Sequence, residues 1–150
     1  MAKATTSGDQ RVRKRQPSLG RALIVEDDPL LAMNLEDALM AGGAEAVVVC
    51  ASVAAAMAEL DRLKPDILIL DVHLADRDDG WAMAELVTTL SPRPPAIIFS
   101  TGAHEQIPGH VAQLGAVLTK PYDPAALIAV LADLRRKPGL LGRLREALAG

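Results

Sequence analysis

Four short apolar runs in this 150-residue chain end in residues suited to handling a phosphate. Leu23-Ile-Val-Glu-Asp-Asp28 closes on three consecutive acids, and Asp66-Ile-Leu-Ile-Leu-Asp71 closes on a carboxylate. Ala96-Ile-Ile-Phe-Ser-Thr-Gly102 closes on two hydroxyls and a glycine, and Ala116-Val-Leu-Thr-Lys-Pro121 on a lysine. Phosphoryl transfer needs an acceptor, neutralisation of charge at the moving oxygens, and positioning. Asp71 is the natural acceptor, because a carboxylate can carry a phosphoryl group as an acyl phosphate. Mg²⁺ takes hard oxygens in octahedral geometry and keeps several waters, so Asp27 and Asp28 beside Asp71 suffice to hold it, with the His73 backbone carbonyl a further ligand. Lys120 brings a compact ammonium for a phosphate oxygen. Thr101 brings a hydroxyl that can close on the phosphate, with Ser100 its rival, and Gly102 has no side chain to obstruct the approach. Asp28 has a second role compatible with the first: beside Pro29 it is placed to cap a helix.

These groups meet only if the runs are parallel neighbours that end at one edge of a sheet. Each run is short and rich in branched residues, as in strands buried on both faces, and open α/β folds put their sites at the carboxyl edge. The intervening segments read as helices. The first spans Pro29 to about Met40, with Leu31, Leu35, Ala38 and Leu39 on its inner face, and Gly42-Gly43 closes it. A further strand, Ala46 to Val49, leads to a helix capped by Ser52 and ending near Leu63, before Lys64-Pro65. Trp81 to Leu90 is helical. The helix within residues 104 to 113 must be short or distorted, because Pro108 and Gly109 lie inside it. Asp123-Pro124 opens a last helix through Leu127, Val130, Leu131 and Leu134 to about Arg136. Five such units specify an α/β fold with a doubly wound, five-stranded parallel sheet between two helical layers.

Half of the residues are apolar but only three are aromatic, so the core is packed from Leu, Ile, Val, Ala and Met. The net charge of −3 conceals an asymmetry: residues 1–21 hold six Lys or Arg against one acid, leaving ten against eighteen in the rest. Residues 1–20, with the cluster Arg11, Arg13, Lys14 and Arg15, read as a disordered basic arm, more a solvated tail than a reader of nucleic acid. The domain proper is expected over 21–136. Residues 137–150 carry Leu140, Leu141, Leu144 and Leu148 on one helical stripe, fit to pack on its own domain, on a partner, or on a second copy as a homodimer. A single cysteine, Cys50, excludes an internal disulfide and reads as a buried, inert thiol. His73, His104 and His110 are not spaced as a ligand set and read as loop residues; Asp76, Asp78 and Asp79 read as a solvated loop face. With no spanning run and no secretory stretch, a soluble cytoplasmic protein is expected.

Taken in order, Glu26-Asp-Asp28, Asp71, Gly80, Phe99-Ser-Thr-Gly102 and Lys120-Pro-Tyr122 resemble the receiver domain of two-component response regulators over about residues 21 to 136. The resemblance implies a flavodoxin-like (CheY-like) sheet of order 2-1-3-4-5. It implies that Asp71 takes a phosphoryl group from a phosphohistidine on a sensor histidine kinase or phosphotransfer protein. Asp27 and Asp28 would hold Mg²⁺, Lys120 would contact the acyl phosphate, and Thr101 would be the switch hydroxyl. The chain departs from the family at Val117, where an aromatic often stands, and Phe99-Ser-Thr-Gly102 is similar to a subgroup with Phe-Ala-Thr-Gly there.

The residues beyond Pro138 are too few for a DNA-binding module, so a stand-alone, single-domain regulator acting through a downstream protein target is expected, without direct DNA or membrane binding. It is not expected to be an enzyme beyond catalysing its own phosphorylation and dephosphorylation. The alternative is a receiver-shaped interaction module that works without phosphorylation. A phosphohydrolase of the haloacid dehalogenase type would need an acid two residues after Asp71, where His73 stands. Three crowded acids should repel, so Mg²⁺ or Asp71→Asn is expected to raise the melting temperature.

Overall fold

The computed structural model describes residues 18–73, 80–102 and 107–136. The basic arm as far as residue 17, Asp76, Asp78, Asp79, His104 and the leucine stripe beyond residue 136 lie outside them. Five strands and five helices alternate: β1 (Gly20–Val25), α1 (Pro29–Ala41), β2 (Ala44–Cys50), α2 (Val53–Leu63), β3 (Ile67–Asp71), α3 (Trp81–Leu90), β4 (Ala96–Thr101), α4 (Gly109–Ala112), β5 (Ala116–Thr119) and α5 (Pro124–Arg136). The strands pair in parallel in the order β2-β1-β3-β4-β5.

The unbroken apolar character of β3 follows from its central place, with all five of its residues buried. Its side chains alternate between two cores. Leu68 and Leu70 join Val53 and Ala56 of α2, Met83, Ala84 and Val87 of α3, and Val111 of α4. Ile67 and Ile69 join Leu35 and Leu39 of α1 and Leu127 and Leu131 of α5. Residues of one parity along the central strands therefore face α1 and α5, and those of the other face α2, α3 and α4.

Helix starts follow the local signals. Asp28 accepts from the amides of Leu30 and Leu31 at 3.0 and 3.2 Å, with Pro29 next in the chain. Ser52 accepts from Ala55 at 3.1 Å, and Asp123 from Ala125 at 2.9 Å. Helix α4 is a single turn that starts immediately after Pro108, and His110, expected in a loop, lies within it. Its Nε2 stands 2.9 Å from Glu85 Oε1 and ties α4 to α3.

Leu19 is buried and donates its amide to the Gly43 carbonyl at 3.1 Å, and β1 starts at Gly20. Gly20 holds φ +77, a conformation that favours glycine, and a Cβ there would press on the Asp66 carboxylate. Asp66 accepts in turn from the Arg21 amide at 2.9 Å. Cys50 closes β2 as a buried free thiol, which burial and then the charge of Glu59 push up and away from the reactive thiolate.

Candidate functional site

Register decides which acids meet. Val25 stands opposite Leu70, and Asp71 stands opposite Ser100. The next residue along β1, Glu26, thus comes level with Asp71, so Glu26, Asp71 and Ser100 form a row across three strands. Counting the alternation from Ile24, Ile69 and Ile98, that row faces the α1 and α5 side.

Lys120 lies over the row. Its Nζ donates to Glu26 Oε2 at 3.1 Å and to Asp71 Oδ2 at 3.2 Å. The other Asp71 oxygen, Oδ1, accepts from the His73 amide at 3.0 Å. Glu26 Oε1 accepts from the Asp28 amide at 3.1 Å, and the Glu26 amide donates to the Cys50 carbonyl at 3.0 Å. Glu26 and Asp71 are 2% and 4% exposed, so this is a nearly dry pair of carboxylates with one ammonium between them. Among the described residues, no buried side-chain nitrogen or oxygen lacks a partner.

The acids that converge are Glu26, Asp27 and Asp71, each with a carboxylate oxygen within 4.8 Å of the others. Asp28 does not join them: its carboxylate faces the first turn of α1, where the helix amides hold it. The acid set expected from the sequence therefore moves back by one residue, and Glu26 is the member that was missed. The overlooked signal is strand parity, since Glu26 continues the face of Ala22 and Ile24 that carries Asp71 on the neighbouring strand. A hard divalent ion with oxygens at about 2.1 Å places its ligands roughly 3 to 4 Å apart, a spacing that three carboxylates this close can meet. Their chemistry suits Mg²⁺, and the exposed Asp27 is the member open to water.

Thr101 is buried at the end of β4, and its carbonyl accepts the Lys120 amide at 2.7 Å. By alternation its side chain follows Phe99 toward the α3 and α4 side, whereas Ser100 turns toward α5. There Ser100 Oγ lies 2.8 Å from the hydroxyl of Tyr122, so it is occupied by a partner. Gly102 is exposed, and a Cβ there would meet no described atom within 4 Å, so the open approach does not depend on its being glycine. Gly80 is the glycine that the site needs. A Cβ at that position would stand 2.8 Å from the Asp71 carbonyl oxygen, and its absence lets the start of α3 lie against the acceptor strand.

The sequence profile of the response regulator receiver domain matches residues 22–132. This chain belongs to that family. The receiver domain resembles the sensory transduction protein LytT of Enterococcus faecalis, 32% identical over 120 residues, which cover 78% of this chain and 48% of that one. It is also similar to the transcriptional regulatory protein GlrR of Escherichia coli, 36% identical over 132 residues, covering 84% of this chain and 29% of that one. This chain thus spans about half or less of the length of these curated relatives. A solved receiver domain from Methylobacillus flagellatus, described as CheY-like, superposes with a TM-score of 0.68 at 25% identity, covering 78% of this chain and 99% of that one. The five parallel strands in the order 2-1-3-4-5 are the flavodoxin-like, CheY-like receiver fold.

Electrostatics at the receiver site favour a bound cation. Burial, reinforced by the charge of Asp71 and opposed by the Asp28 amide and Lys120, pushes the Glu26 carboxyl up to about 7. Burial pulls Lys120 down, but its hydrogen bond to Glu26 and the charges of Asp71 and Glu26 outweigh that effect and hold it above the usual lysine value. The raised Glu26 has a consequence for stability. Between about pH 4.5 and 7 the folded chain keeps a proton that the unfolded chain releases, so stability is full at the acid end and is lost as pH rises through that window. The loss is at most roughly 3 kcal/mol, at 1.36 kcal/mol per pKa unit. Urea midpoints without divalent ions should therefore be lower at pH 8 than at pH 5.5, and in Glu26→Gln this fall should shrink. An unchanged pH slope in that variant would contradict the assignment.

Proposed function

We propose that this receiver domain accepts a phosphoryl group on Asp71 from the phosphohistidine of a sensor histidine kinase or phosphotransfer protein. It then signals by contact with a downstream protein. The observation that carries the reading is the convergence of Glu26, Asp27 and Asp71 with Lys120 seated on an Asp71 oxygen. An Asp71 carboxylate oxygen attacks phosphorus, the P–N bond to the donor imidazole breaks, and its electron pair stays on the ring nitrogen, which is reprotonated. The product is an acyl phosphate on Asp71.

Each neighbouring group has a part in that step. The His73 amide, 3.0 Å from Oδ1, fixes the carboxylate plane. Lys120 moves its ammonium from carboxylate to phosphate oxygen without leaving the site. Thr101, at the end of β4, supplies the hydroxyl that closes on the phosphate. Glu26, Asp27 and Asp71, with the His73 carbonyl as a further ligand, would hold Mg²⁺, which would neutralise charge on the phosphoryl oxygens. Asp28 serves the site indirectly, through its backbone amide on Glu26 and its cap on α1. A cytoplasmic place is part of the proposal, and among the described residues no helix is long and apolar enough to cross a membrane.

Incubation with acetyl phosphate and Mg²⁺, read by intact mass, tests the reading. One phosphoryl adduct per chain is expected, labile to hydroxylamine and absent when EDTA replaces Mg²⁺. Because Mg²⁺ must displace the proton of Glu26, its stabilising effect should be larger at pH 8 than at pH 6. No adduct from acetyl phosphate or from a phosphorylated histidine donor would leave the interaction module without phosphorylation as the better reading.

A further inference from the structure

Lys120 reaches the acceptor on a flexible four-carbon stem, so the accuracy of its ammonium depends on what fixes its backbone. Two bonds do so, and they grip consecutive residues of β4. On one side the Lys120 amide donates to the Thr101 carbonyl at 2.7 Å. On the other, two residues along the loop, the Tyr122 hydroxyl lies 2.8 Å from Ser100 Oγ. Ser100 is fully buried and stands in register with Asp71, so the second bond ties the loop that carries Lys120 to the strand beside the acceptor. Between these two anchors the chain passes through the cis peptide Lys120-Pro121. Proline leaves that stretch without an amide of its own to bond, which makes Tyr122 the next place where the loop can be held. Tyr122 also packs against the apolar cluster under α1 and α5, which aims its hydroxyl at the end of the row Glu26, Asp71, Ser100.

We propose that the Tyr122–Ser100 hydroxyl pair is a brace that positions Lys120 over Asp71 and so sets how fast Asp71 gains and loses a phosphoryl group. The inference rests on the phosphoryl-acceptor reading above. Tyr122 and Ser100 are positioning residues that act through Lys120, and neither touches the phosphoryl group. Burial, partly offset by the bond to Ser100, raises the Tyr122 phenol, which keeps its proton for the bond across the working range.

The test compares the full chain with Tyr122→Phe, Ser100→Ala and the double variant, none of which alters an acid or Lys120. Three readouts are taken: the rate of Asp71 phosphorylation by acetyl phosphate, the Mg²⁺ affinity followed by Trp81 fluorescence, and amide hydrogen exchange at Lys120. Each single variant should slow phosphorylation about 3- to 10-fold, and the double variant should be no slower than either, since both break one bond. Mg²⁺ affinity should not fall, because loosening Lys120 removes a competing cation from Glu26 and Asp71 and not a ligand. Exchange of the Lys120 amide should quicken at least fivefold while the amides of β1 and β3 keep their protection. Additive losses, or loss of Mg²⁺ affinity and core protection together with rate, would show general loosening and overturn the brace. If the parent chain takes no phosphate, the phosphoryl-acceptor reading fails by itself. Lys120 exchange then decides the positional part of the brace, and unchanged exchange of the Lys120 amide in Tyr122→Phe overturns it.

Discussion

Asp71→Asn should take up no phosphoryl group from acetyl phosphate under conditions in which the parent chain is fully modified. The amide has the shape of the carboxylate, and its single oxygen can keep one of the two bonds, from the His73 amide or from Lys120, so the fold around the site should stay assembled while the nucleophilic oxygen is lost. A decrease of at least about 100-fold is expected, the scale of removing the group that does the chemistry. The same change removes a negative charge from a nearly dry site. Asp71 is one of the causes that raise Glu26, so the Glu26 carboxyl should fall below its present value of about 7. Ion-free Asp71→Asn should then be the more stable protein at pH 8, by about 1 kcal/mol, with a flatter decline between pH 4.5 and 7. Intact mass and urea melts at two pH values read both effects. A persistent adduct would move the acceptor elsewhere, and an unchanged melt would mean that the two carboxylates do not interact.

Lys120→Met should damage both stability and transfer. It leaves Glu26 and Asp71 facing each other with the shared ammonium gone, and breaking one side of a buried ionic set costs roughly 2–4 kcal/mol. Loss of the cation pushes Glu26 further up, so the damage grows with pH: mild at pH 6, where Glu26 holds a proton, and full above about pH 8. Millimolar Mg²⁺ should restore most of the stability, since it returns positive charge to the same oxygens. It should not restore transfer, which is expected to fall about 100-fold for want of a donor to the phosphoryl oxygen. A variant as stable as the parent at pH 8 without Mg²⁺ would show that the Lys120 contacts carry little energy. A variant phosphorylated at the parent's rate would remove Lys120 from the proposed chemistry.

Much of this site was legible in local sequence because the signals are local. Branched apolar runs ending in Asp71, Thr101 and Lys120 mark strands whose last residues share an edge, and Asp28-Pro29, Ser52 and Asp123-Pro124 mark where helices begin. Pro108 and Gly109 announced a fourth helix that could not be long, and it is one turn. The identity of the third acid was not local. Glu26, Asp27 and Asp28 are equivalent as text, and only the offset of β1 against β3, set by two cores whose buried residues run from Leu19 to Leu131, puts Glu26 level with Asp71 and leaves Asp28 to the helix. The bond between Ser100 and Tyr122 was hidden for the same reason. It joins residues 22 apart through a turn whose direction no window of sequence reveals.

Ser100 and Thr101 share a peptide unit yet look to opposite sides of the sheet, Ser100 to Tyr122 beneath α5 and Thr101 toward α3 and α4. A twist of that one unit would swing the two hydroxyls in opposite senses, like the arms of a see-saw. News of an event at Asp71 would thus leave the domain by two surfaces at once, and a partner bound on either would feel what happens on the other.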